Sequence, residues 1–377
     1  MFRDAAGRGA AARAAHPDWA RLRLADARLR AVYADALAEH FRRPDEAVPL
    51  YEAALAVFRP AQLADPGRVS AATELTKCLE NYAVCLGRAG KPDDQRRVRD
   101  DALAVWDRLA KQFPDIPEYR LSRAVTLTNT AAELTAADLT RGDRPAEARL
   151  RDAVAELEWL AERYPRVPEY RDRLASALSN LAVLFTGTGR AGEAVPLFDR
   201  ARLHVYVLAP IGPAAAAKRD GFFKLLKGRG LALWTLDRFA EAAESFAEAA
   251  KFAPAPLDWD EATALRLCMV VRGGRAADAL REAVRLRGEG KLQGRGSVHA
   301  AAVFAEGAAS SAVKGPEAKE ALQQRAVSLI RAAVDAGYAD PEQLRTLPAF
   351  RELVGRADFV EQVRRAGEKA RPAPAKD

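Results

Sequence analysis

GLALWTLDRFAEAAESFAEAAKFAP, residues 230–254, reads as two helices and the turn between them. One helix runs up to about Asp237 and the next from about Ala240 to Phe252. Gly230, Leu233, Ala242, Phe246 and Ala249 recur at helical spacing, so small residues fall where two helices touch and Phe246 fills the space between them. Pro254 stands where the second helix must stop, because proline has no N–H with which to continue the ladder.

This spacing resembles the tetratricopeptide repeat (TPR), in which a small and a large residue in the first helix are followed by Ala, an aromatic, Ala and Pro in the second. Weaker copies cover most of the chain. The resemblance implies an all-α fold: a TPR-like α-solenoid, a right-handed superhelix of about seven helical hairpins between about Arg30 and Ala336, closed by a short helical C-terminal cap. One hairpin cannot bury its own apolar face, whereas stacked hairpins bury a continuous core.

Outward from that window the repeats are explicit. QFPDIPEYR (112–120) recurs as RYPRVPEYR (163–171), and Tyr119 to Tyr170 spans 51 residues. Pro114 and Pro165 end one helix. Pro117 and Pro168 start the next, with Glu118 and Glu169 in its first turn, where a carboxylate suits the helix dipole. Tyr119 and Tyr170 are expected to pack back on the preceding helix. First helices carry Asn-x-Ala (Asn81, Asn129, Asn180). Second helices carry the stripes Ala102-Trp106-Leu109, Ala153-Leu157-Leu160 and Ala194-Phe198-Ala201. Pro49 and Pro196 fall early in their helices, where proline costs least. After Pro254 come helices over 258–271 and 276–286, a loop over 288–296, and a pair over 297–313 and 316–336. Asp340-Pro341-Glu342 then opens the cap. The expected organisation is a basic Ala/Arg-rich extension (1–29), TPR-like repeats (30–254), divergent helical pairs (255–336), the cap (337–366) and a tail (367–377).

Composition agrees with helices. Of the residues, 49% are hydrophobic, with Ala dominant, and only 7% are aromatic; runs of β-branched residues are nearly absent, so no substantial sheet is expected. The net charge of +7 is mild, and seven Arg against three Asp in the first 30 residues supply four of the seven excess charges. That Arg-rich end allows a nucleic-acid alternative, but it lacks interleaved aromatics for base stacking. Cys78, Cys85 and Cys268 read as small buried hydrophobes in a reducing compartment. The four histidines are scattered, so no metal site is expected, and neither is a cofactor. No apolar run approaches the ~18 residues of a membrane span, and the first 20 residues lack the apolar core of a secretory signal. A cytoplasmic protein is expected.

The PEYR repeats, the Asn-x-Ala helices and the ending AVSLIRAAVDAGYADPEQLRTLPAFRELVGRADF resemble, over about 71–363, the C-terminal repeat region of bacterial serine/threonine protein kinases of the planctomycete type. The kinase motifs themselves are absent: there is no Gly-rich loop before Val, no VAIK-like lysine and no HRD, and Asp358-Phe359 is followed by Val360 instead of Gly. No catalytic residue carries over. Paired acids (Asp93-Asp94, Asp100-Asp101, Asp258 with Asp260) fall at turns and helix starts, where capping accounts for them.

The expected function is therefore that of a non-catalytic scaffold binding a protein or peptide in a concave groove, with kinase-linked signalling as context. The alternative is the regulatory tail, or a fragment, of a serine/threonine kinase. Candidate groove residues are Asn81, Asn129 and Asn180, whose amides both donate and accept, with Lys77, Lys224 and Lys227. In TPR carboxylate clamps such cations beside Asn hold an acidic segment or a chain terminus, so an acidic ligand is among those expected. Val125 and Ser176 stand where such a clamp prefers a cation. The Asn side chains are equally consistent with bonds to neighbouring helices, and the sequence favours a solvated face for the basic cluster.

Overall fold

The computed structural model of the protein describes residues 20–64, 69–132, 145–205 and 213–370, and every regular element among them is helical. The chain divides into two compact units, residues 1–177 and 178–377. The first holds α1 (Ala20–Glu39), α2 (Pro44–Ala64), α3 (Val69–Arg88), α4 (Pro92–Gln112), α5 (Pro117–Ala132), α6 (Pro145–Arg163) and the opening of α7 (Pro168–Gly187). The second holds the rest of α7, then α8 (Ala191–His204), α9 (Pro213–Thr235), α10 (Phe239–Lys251), α11 (Pro256–Arg272) and α12 (Ala276–Gly288). It continues through a 3-10 turn (Gly294–Gly296), α13 (Ser297–Ala309), α14 (Pro316–Asp335), α15 (Pro341–Thr346), a 3-10 helix (Pro348–Leu353) and α16 (Ala357–Ala370).

Consecutive helices pack on one another from α1 to α6 and from α8 to α14, and α1 also meets α3 as α11 meets α13. Short polar turns force neighbours to run antiparallel. This is the stacked-hairpin packing of an all-α solenoid.

Local chemistry sets the boundaries. Prolines open α2, α4, α5, α6, α7, α9, α11, α14 and α15, where the missing N–H is one of the donors a helix start leaves unpaired anyway. Tyr119 and Tyr170 lie as their spacing requires. The Tyr119 ring sits 6.1 Å from Trp106 of α4 and 6.0 Å from Phe113 just past its end, and Tyr170 sits 6.0 Å from Tyr164 just past the end of α6. The three second-helix stripes are buried throughout.

α9 packs closely on both of its neighbours. A methyl placed on Gly228 would stand 2.8 Å from Phe198 of α8, and one on Gly230 would stand 2.6 Å from Phe246 of α10. Two residues apart on a helix is about 200°, so the glycines face opposite ways and each receives one neighbour's phenyl ring. Phe198 and Phe246 are fully buried as a result.

At the far end Phe350 and Phe359, both fully buried, lie 5.9 Å apart and join the 3-10 helix to α16. Asp340 caps α15 by accepting the Gln343 N–H at 2.8 Å. Arg356 donates to Glu320 on α14 (2.8 Å) and to Asp358 (3.0 Å), tying the cap down.

Several boundaries differ from those expected. α1 begins at Ala20 instead of near Arg30, because 20–30 is Ala, Leu and Arg, all strong helix formers, apart from Asp26, which accepts from Arg30 at 2.8 Å. Residues 288–296 are more than a loop: Leu292 is fully buried in a left-handed turn (φ 53°), and its N–H donates to Asp260 at 3.2 Å. Asp258 does cap α11, accepting the Ala255 N–H at 3.1 Å. Asp260 instead lies buried against that turn, and burial raises its pKa. α16 runs to Ala370, past the expected start of the tail. The Arg-rich stretch before Ala20 and the residues after Ala370 lie outside the described residues.

The repeat length also varies along the chain, and pairs 46 residues apart occur in both units, Arg202 with Glu248 being one in the second. In the first unit, Arg28 pairs with Glu74, Asn81 with Asp35 and Thr126 with Glu80, each across 46 residues. In the second, Lys227 pairs with Glu261 and Arg272 with Glu306 across 34. The first unit's α1 to α4 run to 20 and 21 residues each, whereas α10 and α12 have 13.

Candidate functional site

In the second unit the first helices of three successive hairpins turn one face toward a common cavity of about 670 Å³. Lys227, Leu231, Trp234 and Thr235 come from α9, at i, i+4, i+7 and i+8, which is one helical stripe. Asp237 follows in the turn, Glu261, Leu265 and Arg272 come from α11, and Glu306 and Ala309 come from α13. Leu347, Pro348, Ala349, Arg351 and Glu352 of the cap complete the wall. The segment that closes the stack is thus also part of the cavity.

Two ion pairs cross between the lining helices. Lys227 Nζ donates to Glu261 Oε2 at 2.9 Å, with the ammonium 5.4 Å from the Phe223 ring centre. Arg272 grips Glu306 with two bonds, Nε to Oε2 at 3.1 Å and Nη2 to Oε1 at 2.8 Å, and its guanidinium stands 5.3 Å from the Trp234 ring centre. A planar fork on a carboxylate is the stronger pairing geometry. The Glu306 side chain is only 5% exposed. Removing Arg272 would strand that carboxylate, a loss of about 3–5 kcal/mol for a buried pair with one partner deleted. His299, near the start of α13, is half-buried, and burial lowers its pKa, with the Glu261 and Asp258 charges opposing and Lys227 adding.

A second cavity, of about 520 Å³, lies in the first unit among α2, α3 and α4. Its charges are compensated locally: Arg59 with Asp101 at 2.5 Å, Tyr82 with Glu52 at 3.0 Å, and Arg97 with Asp94.

Of the residues singled out in the sequence, Lys227 alone lines the larger cavity. Lys224, one turn earlier on α9, is exposed and paired with Asp220 at 2.6 Å. Asn81 donates to Asp35 at 3.0 Å, and the same oxygen accepts from the Tyr51 hydroxyl at 2.6 Å. Asn81 therefore links α3 to α1 within the first unit. Lys77, on the same helix, is exposed, as is Asn129 on α5. Asn180, on α7, is half-buried. The structure does not bring the three Asn and three Lys to one cavity. Arg229, from the same basic cluster, is spent on Asp199 (2.7 Å) and Ser245 (2.5 Å).

Glu261, Arg272, Glu306, Arg351 and Glu352 are the lining charges that sequence reasoning passed over. A signal existed: opposite charges 34 residues apart on consecutive first helices, at the TPR period.

Among the described residues no group of His, Cys, Asp and Glu is placed to hold a metal, and no helix is long and apolar enough to cross a membrane. The three cysteines are free and buried.

No family model and no curated protein sequence matches the chain. Among solved structures, a tetratricopeptide repeat protein from Parabacteroides merdae is similar at 13% identity, with 89% of this chain and 98% of that one covered and a TM-score of 0.36. Human IFIT1, solved as a dimer with m7Gppp-AAAA, is similar at 12% identity, with 92% and 90% covered and a TM-score of 0.29. The TPR domain of P58(IPK) is similar at 14% identity, with 98% and 93% covered and a TM-score of 0.25. At these scores the likenesses carry no argument about fold or function, which rest on the packing and the cavity described above.

Proposed function

We propose that the protein is a non-catalytic, TPR-like scaffold whose second unit binds a segment of a partner protein in the cavity of α9, α11, α13 and the cap. One observation carries this reading. A single face of three successive first helices contributes Leu231, Trp234 and Leu265, the cap adds Leu347, and the charges those helices bring, Lys227, Glu261, Arg272 and Glu306, are fixed in ion pairs. Such a mixture of apolar wall and few oriented polar groups suits recognition of a side chain or short segment. The lining contains no Ser, Cys or His, its one hydroxyl, Thr235, donates to the Ala232 carbonyl at 2.8 Å, and Lys227 and Arg272 are held by carboxylates, which favours binding over nucleophilic chemistry. The free buried thiols support a reducing, cytoplasmic compartment.

The test is a selection of random nonapeptides displayed on phage against the full chain, with Leu265→Trp as the counter-target. Leu265 is half-buried in the cavity wall, so the larger ring fills the cavity without adding charge. Peptides retained by the wild type and lost by the variant, at matched denaturation midpoints, are the expected result. Peptides bound equally by both would remove the cavity from the account. The resemblance of the closing segment to kinase-borne repeats supports a signalling context. Co-purification of a serine/threonine kinase with the wild type, lost with Leu265→Trp, would bear that out, and its retention by the variant would contradict it.

A further inference from the structure

The charges of the cavity sort into two sets. Lys227, Glu261, Arg272 and Glu306 are paired with one another across the helices. Asp237, Arg351 and Glu352 also line the cavity, are exposed, and have no side-chain hydrogen bond or ion pair among the described residues. The lining as a whole therefore carries four carboxylates against three cations, and its unpaired set carries two against one. This is opposite in sign to the chain's net charge of +7.

That sorting decides what a guest meets. An acidic side chain drawn to Lys227 or Arg272 meets a cation already held by Glu261 or by the doubly bonded, almost fully buried Glu306, which leaves it Arg351 as the one open cation against two open carboxylates. A basic side chain displaces nothing, since Asp237 and Glu352 are open acceptors. Its hydrocarbon stem also matches the apolar wall, because Lys and Arg lay their methylenes on apolar surface while the charged head stays at the edge. Trp234, whose ring already has the Arg272 guanidinium 5.3 Å from its centre, offers the stem apolar surface and leaves the charge to the carboxylates.

We infer that the cavity takes a Lys or Arg side chain from an apolar stretch of a partner protein, its stem against Leu231, Trp234 and Leu347 and its charge beside Asp237 and Glu352. This rests on the reading of the cavity as a peptide site and reverses the acidic ligand expected from the sequence. Arg351 is then the repulsive element. It selects against a guest with charge on the wrong side, and its removal strengthens binding.

Two substitutions remove charge and little else. Asp237 adopts a left-handed backbone (φ 57°) that Asn tolerates equally, so Asp237→Asn keeps the turn. Glu352→Gln is isosteric on an exposed residue. The experiment takes the nonapeptides that the full chain retains and Leu265→Trp loses, and measures their composition and their affinity for the wild type and two variants. The inference predicts enrichment of Lys or Arg flanked by apolar residues. Binding should weaken roughly two- to tenfold in Asp237→Asn/Glu352→Gln, as expected for exposed charge pairs. It should tighten in Arg351→Ala and weaken as salt is raised. Retained peptides that are acidic or uncharged, or that weaken on Arg351→Ala, would overturn the inference while leaving the peptide site standing. Failure of any peptide to distinguish the wild type from Leu265→Trp would remove both.

Discussion

Gly230 shows how one atom's absence holds two helices together. In an exposed helix Gly→Ala gains about 1 kcal/mol from backbone entropy. Here the added methyl would stand 2.6 Å from a phenyl ring that is itself fully buried and has nowhere to go. Overpacking of this kind costs about 1–3 kcal/mol, so the packing term wins. Gly230→Ala is expected to lower the urea midpoint, and Phe246→Leu on that background to recover part of the loss. A rise in midpoint on Gly230→Ala would show that α9 and α10 do not meet this closely. The cysteines make a second residue-scale prediction. All three are buried, and burial pushes the Cys78 thiol up to about 12 and Cys268 well above its usual range. A thiolate is the reactive form. Ellman's reagent should therefore find no reactive thiol in the native protein and all three after denaturation. Residues of this kind were legible in the sequence because their reasons are local. Pro117, Pro168 and the tyrosines two residues on declare a helix start and a ring packed backward. Asn81 was ambiguous for the opposite reason: whether its amide meets a ligand or Asp35 depends on a helix 46 residues away.

At the scale of elements, Arg356 fastens the cap to α14. Its guanidinium, bonded to Asp358 and Glu320, holds both carboxyls below the usual carboxylate range. A carboxyl whose folded pKa is depressed binds fewer protons folded than unfolded, so its stabilisation is full above its unfolded pKa, near 4, and fades as pH falls through the folded value. The difference in denaturation midpoint between wild type and Arg356→Met should accordingly be largest near neutral pH and shrink below about pH 4. A difference unchanged at low pH would mean that Arg356 acts through packing alone. The element scale is also where the sequence was least informative. The Tyr119–Tyr170 spacing of 51 holds between the starts of α5 (Pro117) and α7 (Pro168), but bonded positions elsewhere stand 46 or 34 residues apart. Glu261 and Glu306 become recognisable as partners of Lys227 and Arg272 only once the shorter period is known. Leu292 was hidden in a Gly-rich stretch, whose composition says nothing of the carboxylate of Asp260 that pins it.

For the whole molecule, the division into two units places the candidate site in the second, on α9, α11, α13 and the cap, while half of the sequence candidates (Lys77, Asn81, Asn129) lie in the first. The cap shapes the site as well as closing the stack, since Leu347 and Glu352 are wall residues while Phe350, between them, is buried against Phe359. Substitutions that loosen the cap should thus weaken binding before they unfold the chain. The measurement that tests the central claim most directly is amide hydrogen exchange of the full chain with and without a nonapeptide selected as above. The account predicts added protection confined to residues 227–237, 261–272, 306–309 and 347–352. Protection centred instead on α3 and α5, or spread over no particular face, would contradict it.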